Sequence, residues 1–190
     1  ANNTANLNSV DYTTSLEGGL AIERVACIKQ GNWVAPAVET TDPAVLQKLD
    51  MLPYSVPGYS DGKYFVGVSG YWAIHSKATD AQKAAAKDFI NWMFTDSEAQ
   101  KIVVNDCKFI PPYDNFDGIK ASDPLSQRIM DANNSGNTMN GWVYSGCPNT
   151  WSQQGAGVEV QKYVAGEADL DEFTKTCIEQ WSELRKQQNN

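Results

Sequence analysis

The chain has 190 residues, 42% of them hydrophobic and 20% charged, which gives a globular protein with room for one domain or two small lobes and excludes a disordered one. Its formal net charge of −8 is spread without blocks of like sign and argues against nucleic acid, whose phosphates need a basic face. No apolar run approaches the about 20 residues of a membrane-spanning helix, and Ala1 to Asn8 is polar, without the apolar core of a signal peptide.

Residues 1–15 are polar and read as a loop, and Ser15 to Glu23 reads as the end of a helix. Val25 to Ile28 is a short apolar run that reads as a strand ending at the turn Gly31-Asn32-Trp33. Asp42 to Leu49 fits a short helix with Asp42 as N-cap and Pro43 in its first turn. Met51 to Val56 reads as a strand punctuated by Pro53 and Pro57, and Gly58 to Lys63 as a polar turn. Tyr64 to Ser69 and Tyr71 to His75 are strand-like and separated by Gly70.

A helix capped by Thr79 or Asp80 follows, with Ala81, Ala85, Phe89, Trp92 and Met93 on one face. Thr95 and Glu98 have the spacing of a capping box for the next helix. Ile110-Pro111-Pro112-Tyr113 must be extended, since a residue before proline avoids the helical region. Pro124 to Ala132 reads as a helix ended by the polar cluster Asn133–Asn137. Gly141 to Thr150 is an aromatic-rich loop. Trp151 to Val164 reads as helical despite two glycines, and Gly166 closes it. Asp169 caps the last helix, whose stripe is Leu170, Phe173, Cys177, Trp181 and Leu184, with a fraying tail from Gln187. There is no internal repeat. Alternating strands and helices favour an α/β class.

Familiar catalytic motifs are missing. There is no nucleophile elbow, phosphate-binding loop, dinucleotide fingerprint or zinc-protease motif. The one histidine, His75, reads as a surface or structural residue beside Lys77. Asp114 with Asp117, or Asp169 with Asp171, are carboxylate pairs, but the first lies in a loop and the second fits helix capping. Cysteines at 27, 107, 147 and 177 form no C-x-x-C pair, so a zinc site is not expected. Cys27 and Cys177 read as buried thiols, and one disulfide stays open. No cofactor is expected.

Six tryptophans and eight tyrosines make the chain rich in rings. Tryptophan is hard to bury completely because its N–H needs a partner. Trp33 follows a Gly-Asn turn, Tyr71-Trp72 follows Gly70, and Trp151 opens a helix, so these rings stand at element ends, which face the ligand crevice in α/β folds. In a strand, Trp72 and Tyr71 would point to opposite sides. Trp92 and Trp181 lie on helical stripes and read as core, and Trp142 fits either role.

Four stretches carry a family resemblance: ACIKQGNW at Ala26 to Trp33, MLPYSVPG at Met51 to Gly58, the long run Val66 to Asp106 with the following FIPP, and Val164 to Lys186. Across roughly residues 15–186 the chain resembles the C-terminal half of the extracellular family 1 solute-binding proteins of carbohydrate ABC transporters, the family of the maltose-binding protein. The run Val66 to Asp106 is the most specific of the four. Glu23-Arg24-Val25 departs from the family's usual lead into its strand.

The resemblance implies a periplasmic-binding-protein-like (type II) two-lobe α/β fold, of which this chain would be the C-terminal part. Residues 1–63 would form a C-terminal-lobe segment leading to the hinge. Residues 64–112 would contribute to the N-terminal lobe, and 113–190 would return to the C-terminal lobe. It implies a non-enzymatic receptor that captures a sugar or oligosaccharide and docks to a membrane permease. The missing N-terminal half would come from the same protein. The location implied is extracellular, as a membrane-anchored lipoprotein of a Gram-positive cell surface, or periplasmic. By analogy Trp33 and Trp151 stack on sugar rings, and Tyr71 or Trp72 lines the cleft. Asn32, Tyr144, Asn149 and Gln153 offer hydrogen bonds to hydroxyls. The competing readings are a glycan-active enzyme with aromatic subsites and a structural or adhesion module whose rings are core.

Overall fold

Aspartate and threonine caps mark out most of the helices. The computed structural model describes residues 10–68, 70–141, 146–148 and 150–188, with the side chain of Gln153 also left undescribed. Among these, residues 12–141 form one compact unit, and 146–188 with 10–11 form another.

The first unit opens with α1 (Tyr12–Leu16), a 3₁₀ turn at Leu20–Ile22, and a second at Asn32–Val34 that runs into α2 (Ala35–Thr41). Next comes α3 (Pro43–Leu46), whose N-cap Asp42 accepts hydrogen bonds from the Ala44 and Val45 amides, satisfying donors that the first turn leaves open. Leu16, Leu20, Val34, Val38, Val45 and Leu46, joined by Leu125, form an aliphatic core without an aromatic ring. Ile28 and Met51 pack on its edge.

After β1 (Tyr64–Val66) the chain makes α4 (Asp80–Thr95), α5 (Ser97–Lys101) and α6 (Pro124–Asn134) before β2 (Thr138–Asn140). The two strands pair in parallel, Tyr64 against Thr138 and Val66 against Asn140, a pairing that needs the long helical crossover between them. Thr79 caps α4 in a reciprocal box with Gln82. Met93, Val103, Val104 and Phe116 form a second core. Gln100 and Asn115 donate to the Phe94 carbonyl at 3.0 and 2.7 Å, closing the end of α4.

The second unit holds a π-helical turn at Trp151–Ala156, α7 (Gly157–Ala165) and α8 (Leu170–Gln188). Gly166 ends α7 at φ 77°, in the left-handed region that suits glycine. Asp169 accepts from the Glu172 amide at 2.8 Å and starts α8.

Several sequence expectations need correction. Strands do not form over 25–28, 51–56 or 71–75, so the described residues are mostly helical with one short strand pair. Pro53 and Pro57 remove backbone donors from the 51–56 stretch. Asp96, not Thr95, caps α5, accepting from Glu98 and Ala99 at 3.0 Å. The Thr95 hydroxyl instead donates back to the Asn91 carbonyl. Trp92 is exposed rather than core, because α4 buries only Met93. Cys27 is exposed and Cys177 buried, and no cysteine is bridged among the described residues.

Candidate functional site

Two segments of the first unit are anchored on the core and expose rings beside their anchors. Ile28 and Val34 anchor the first on the aliphatic core, and Met51 anchors the second. Between the first pair of anchors, Trp33 folds its indole over Gly31. A Cβ at Gly31 would run into that ring, so the close approach needs glycine. The Trp33 N–H donates to Gln30 Oε1 at 3.0 Å, and the residue is 53% exposed. Asn32 begins the 3₁₀ turn, and its amide reaches the hydroxyl of buried Ser126 at 3.5 Å.

The second segment brings Tyr54 against the first. Lys29 Nζ sits 4.7 Å from the Tyr54 ring centre, within cation–π range. Phe65 of β1 lies 6.2 Å away on the same ring. The Tyr64 hydroxyl donates to the Met51 carbonyl at 2.9 Å, tying β1 to this segment. Buried Ser60 holds the loop that follows, donating to the Tyr54 carbonyl at 3.0 Å and accepting from the Val56 amide at 2.6 Å. Tyr59 is left exposed on that loop. At the far end of β2, Gly141 is pressed against Phe65 and bonds Val66.

Tyr71 and Trp72 follow β1 in irregular backbone, and both are exposed, Tyr71 at 86%. Because no strand forms there, the alternation expected of the two side chains does not apply. Exposed Tyr54 and Lys29 and half-buried Phe65 are not among the residues expected from the sequence. Tyr54 was hidden in an expected strand, though a tyrosine between Pro53 and Pro57 was the available signal.

Trp151 sits in a different setting, in the second unit. Thr150, at φ 67°, turns the chain into the π-helical segment. The half-buried Trp151 ring meets Trp181 edge to face at 4.9 Å, and its N–H donates to the Cys177 carbonyl at 3.1 Å. Arg185 covers the Trp181 ring at 5.8 Å. Burial, and secondarily the charge of Glu159, pushes the Cys177 thiol up. Tyr144, Asn149 and the side chain of Gln153 lie outside the described residues. Among the described residues no cluster of metal-ligating side chains occurs.

The family model described as bacterial extracellular solute-binding protein matches residues 4–128, more than half of the chain. The chain belongs to that family. Neither a curated protein nor a solved structure matches it. Membership implies for this solute-binding protein a periplasmic-binding-protein-like fold, an extracellular or periplasmic place, and a solute and an ABC transporter as partners; the family is generally non-enzymatic. No helix among the described residues is long and apolar enough to cross a membrane. The matched stretch contains Asn32, Trp33, Tyr54, Tyr71 and Trp72 and stops before Trp151.

Proposed function

We propose that this solute-binding protein captures a sugar or oligosaccharide on its exposed rings and delivers it to the membrane permease of an ABC importer. The observation that carries the reading is the exposure of Trp33, Tyr71 and Trp72 within the family-matched stretch of a unit whose main core is aliphatic. Sugars present flat C–H faces ringed by hydroxyls, and rings that stay in solvent are suited to stack on them. Asn32 supplies a hydrogen-bonding amide beside Trp33. In the other unit Trp151 is a further stacking residue, with Tyr144, Asn149 and Gln153 as partners for hydroxyls.

The fold proposed is a two-lobe α/β receptor. Segments 1–63 and 113–190 belong to the C-terminal lobe, and 64–112 contributes to an N-terminal lobe completed by another half of the protein. Support comes from α4, which leaves Phe89 53% and Trp92 45% exposed, their rings 5.8 Å apart. A sheet of two three-residue strands is also too small to stand alone. Ligand contacts in both lobes would draw them closed, since a ligand shifts an equilibrium only by its differential affinity. A lipid anchor at the cell surface completes the proposal.

The test is a tryptophan-fluorescence titration of the chain against a panel of oligosaccharides, repeated with an upstream half added. A saturable change that Trp33→Ala removes supports the reading. Silence of the folded protein in both series overturns it.

A further inference from the structure

Five of the exposed rings, Trp33, Tyr54, Tyr59, Tyr71 and Trp72, lie on stretches of this acidic chain that together carry basic residues without acidic ones. These stretches are residues 24–38, 51–60 and 62–79. The same residues hold Arg24, Lys29, Lys63 and Lys77 and not one aspartate or glutamate, although the chain as a whole carries −8. Of the carboxylates that border these segments, Asp80 stands in the first turn of α4 and the others have partners. Glu23 pairs with Lys48 at 2.9 Å, Glu39 with Lys108 at 3.4 Å, and Asp50 with Arg128 at 2.7 Å. Asp61 accepts from the Gly58 amide within its own turn.

None of the ion pairs among the described residues involves Arg24, Lys29, Lys63 or Lys77. Lys29 is held over the Tyr54 ring, which leaves its N–H donors turned away from that ring without a charged acceptor. We infer that the solute taken by this surface is anionic, an oligosaccharide carrying carboxylate or sulfate groups on its rings. The inference rests on the sugar-receptor reading above and adds to it the charge of the ligand. An aromatic face takes the C–H side of a ring. A fixed cation beside it takes a negative substituent.

The experiment compares ligands that differ only in charge, in the same two titration series. An oligogalacturonate is set against its methyl ester, and a sulfated oligosaccharide against its unsulfated parent. The expected result is that an acidic form binds at least about fivefold tighter than its neutral counterpart, the size of one or two exposed charge pairs. The preference should shrink with added salt and in Lys29→Gln, whose exposed side chain makes its folding easy to verify by circular dichroism. Whichever acidic arm responds identifies the anionic group. Neutral forms binding as tightly as the acidic ones would overturn the inference and leave the receptor reading standing. Silence toward every glycan would overturn both.

Discussion

Outside the small core around Phe94 and Phe116, the first compact unit leaves in solvent the kind of ring that the second unit packs. In residues 12–141 the larger core is built from leucine, valine and alanine, while Trp33, Tyr54, Tyr71 and Trp72 stand in solvent. In residues 146–188 the rings do the packing: Trp151 against Trp181, and Tyr163 against Phe173 at 5.7 Å. Abundance of tryptophan therefore does not locate a binding surface. A ring is the plainer candidate where aliphatic side chains already supply the core and the ring stays in solvent.

The comparison can be broken at three strengths. The largest effect belongs to Leu46, fully buried in the aliphatic core: Leu46→Ala should cost about 3 kcal/mol in urea unfolding. Trp151→Ala should cost about 2 kcal/mol, through the lost ring contact with Trp181 and the lost hydrogen bond to the Cys177 carbonyl. Trp33→Ala should move stability by less than about 0.5 kcal/mol yet abolish the ligand response. If Trp33→Ala proved the more destabilising of the two tryptophan variants, the contrast between the units would be gone. Third, Asp42→Ala and Thr79→Ala should each cost about 1 kcal/mol, the usual size of a lost N-cap.

Caps were the legible part of this sequence. Asp42, Thr79, Pro124, Gly166 and Asp169 each mark a helix boundary where the chain makes one. Strands were not legible. Val25–Ile28 and Met51–Val56 have strand-like composition, but a strand exists only through a partner that pairs with it, and pairing is a long-range property. The reverse error hid α2, whose Val38, Thr40 and Thr41 read poorly as helix. There Pro36 sits in the first turn, where it is tolerated, and Val38 is buried. Of the candidate site, Trp33 was visible from its glycine-asparagine turn. The Lys29–Tyr54 contact was not, because it joins residues 25 positions apart whose neighbours Ile28 and Met51 pack on one core.

Cysteine chemistry sharpens the contrast between the units by accessibility. Cys27 and Cys107 are exposed in the first, and Cys177 is buried in the second with its thiol pushed up by burial. Timed alkylation with iodoacetamide, read by mass spectrometry, should label Cys27 and Cys107 first and Cys177 only on unfolding. Early labelling of Cys177 would mean that the Trp151–Trp181 packing opens readily.

The smallest effect concerns the pair that fixes α6 beside the Tyr54 segment. The Arg128 guanidinium grips Asp50 with two hydrogen bonds, 2.8 and 2.7 Å, and holds its carboxyl below the ordinary value of 3.8, helped by the Met51 amide and opposed by burial. A carboxyl depressed in the folded state favours folding at pH values above its unfolded pKa, and that contribution is lost as pH falls through the lower, folded value. In Arg128→Met stability should therefore fall slightly at neutral pH and lose less as pH drops below 4, so that the two curves converge in acid. Both side chains are about half exposed, so salt should shrink the difference. Tyr54 and Lys29 lie on the segments beside this pair. A loss of ligand response in Arg128→Met at neutral pH, with no more than that slight loss of stability, would place the pair among the groups that position the aromatic surface.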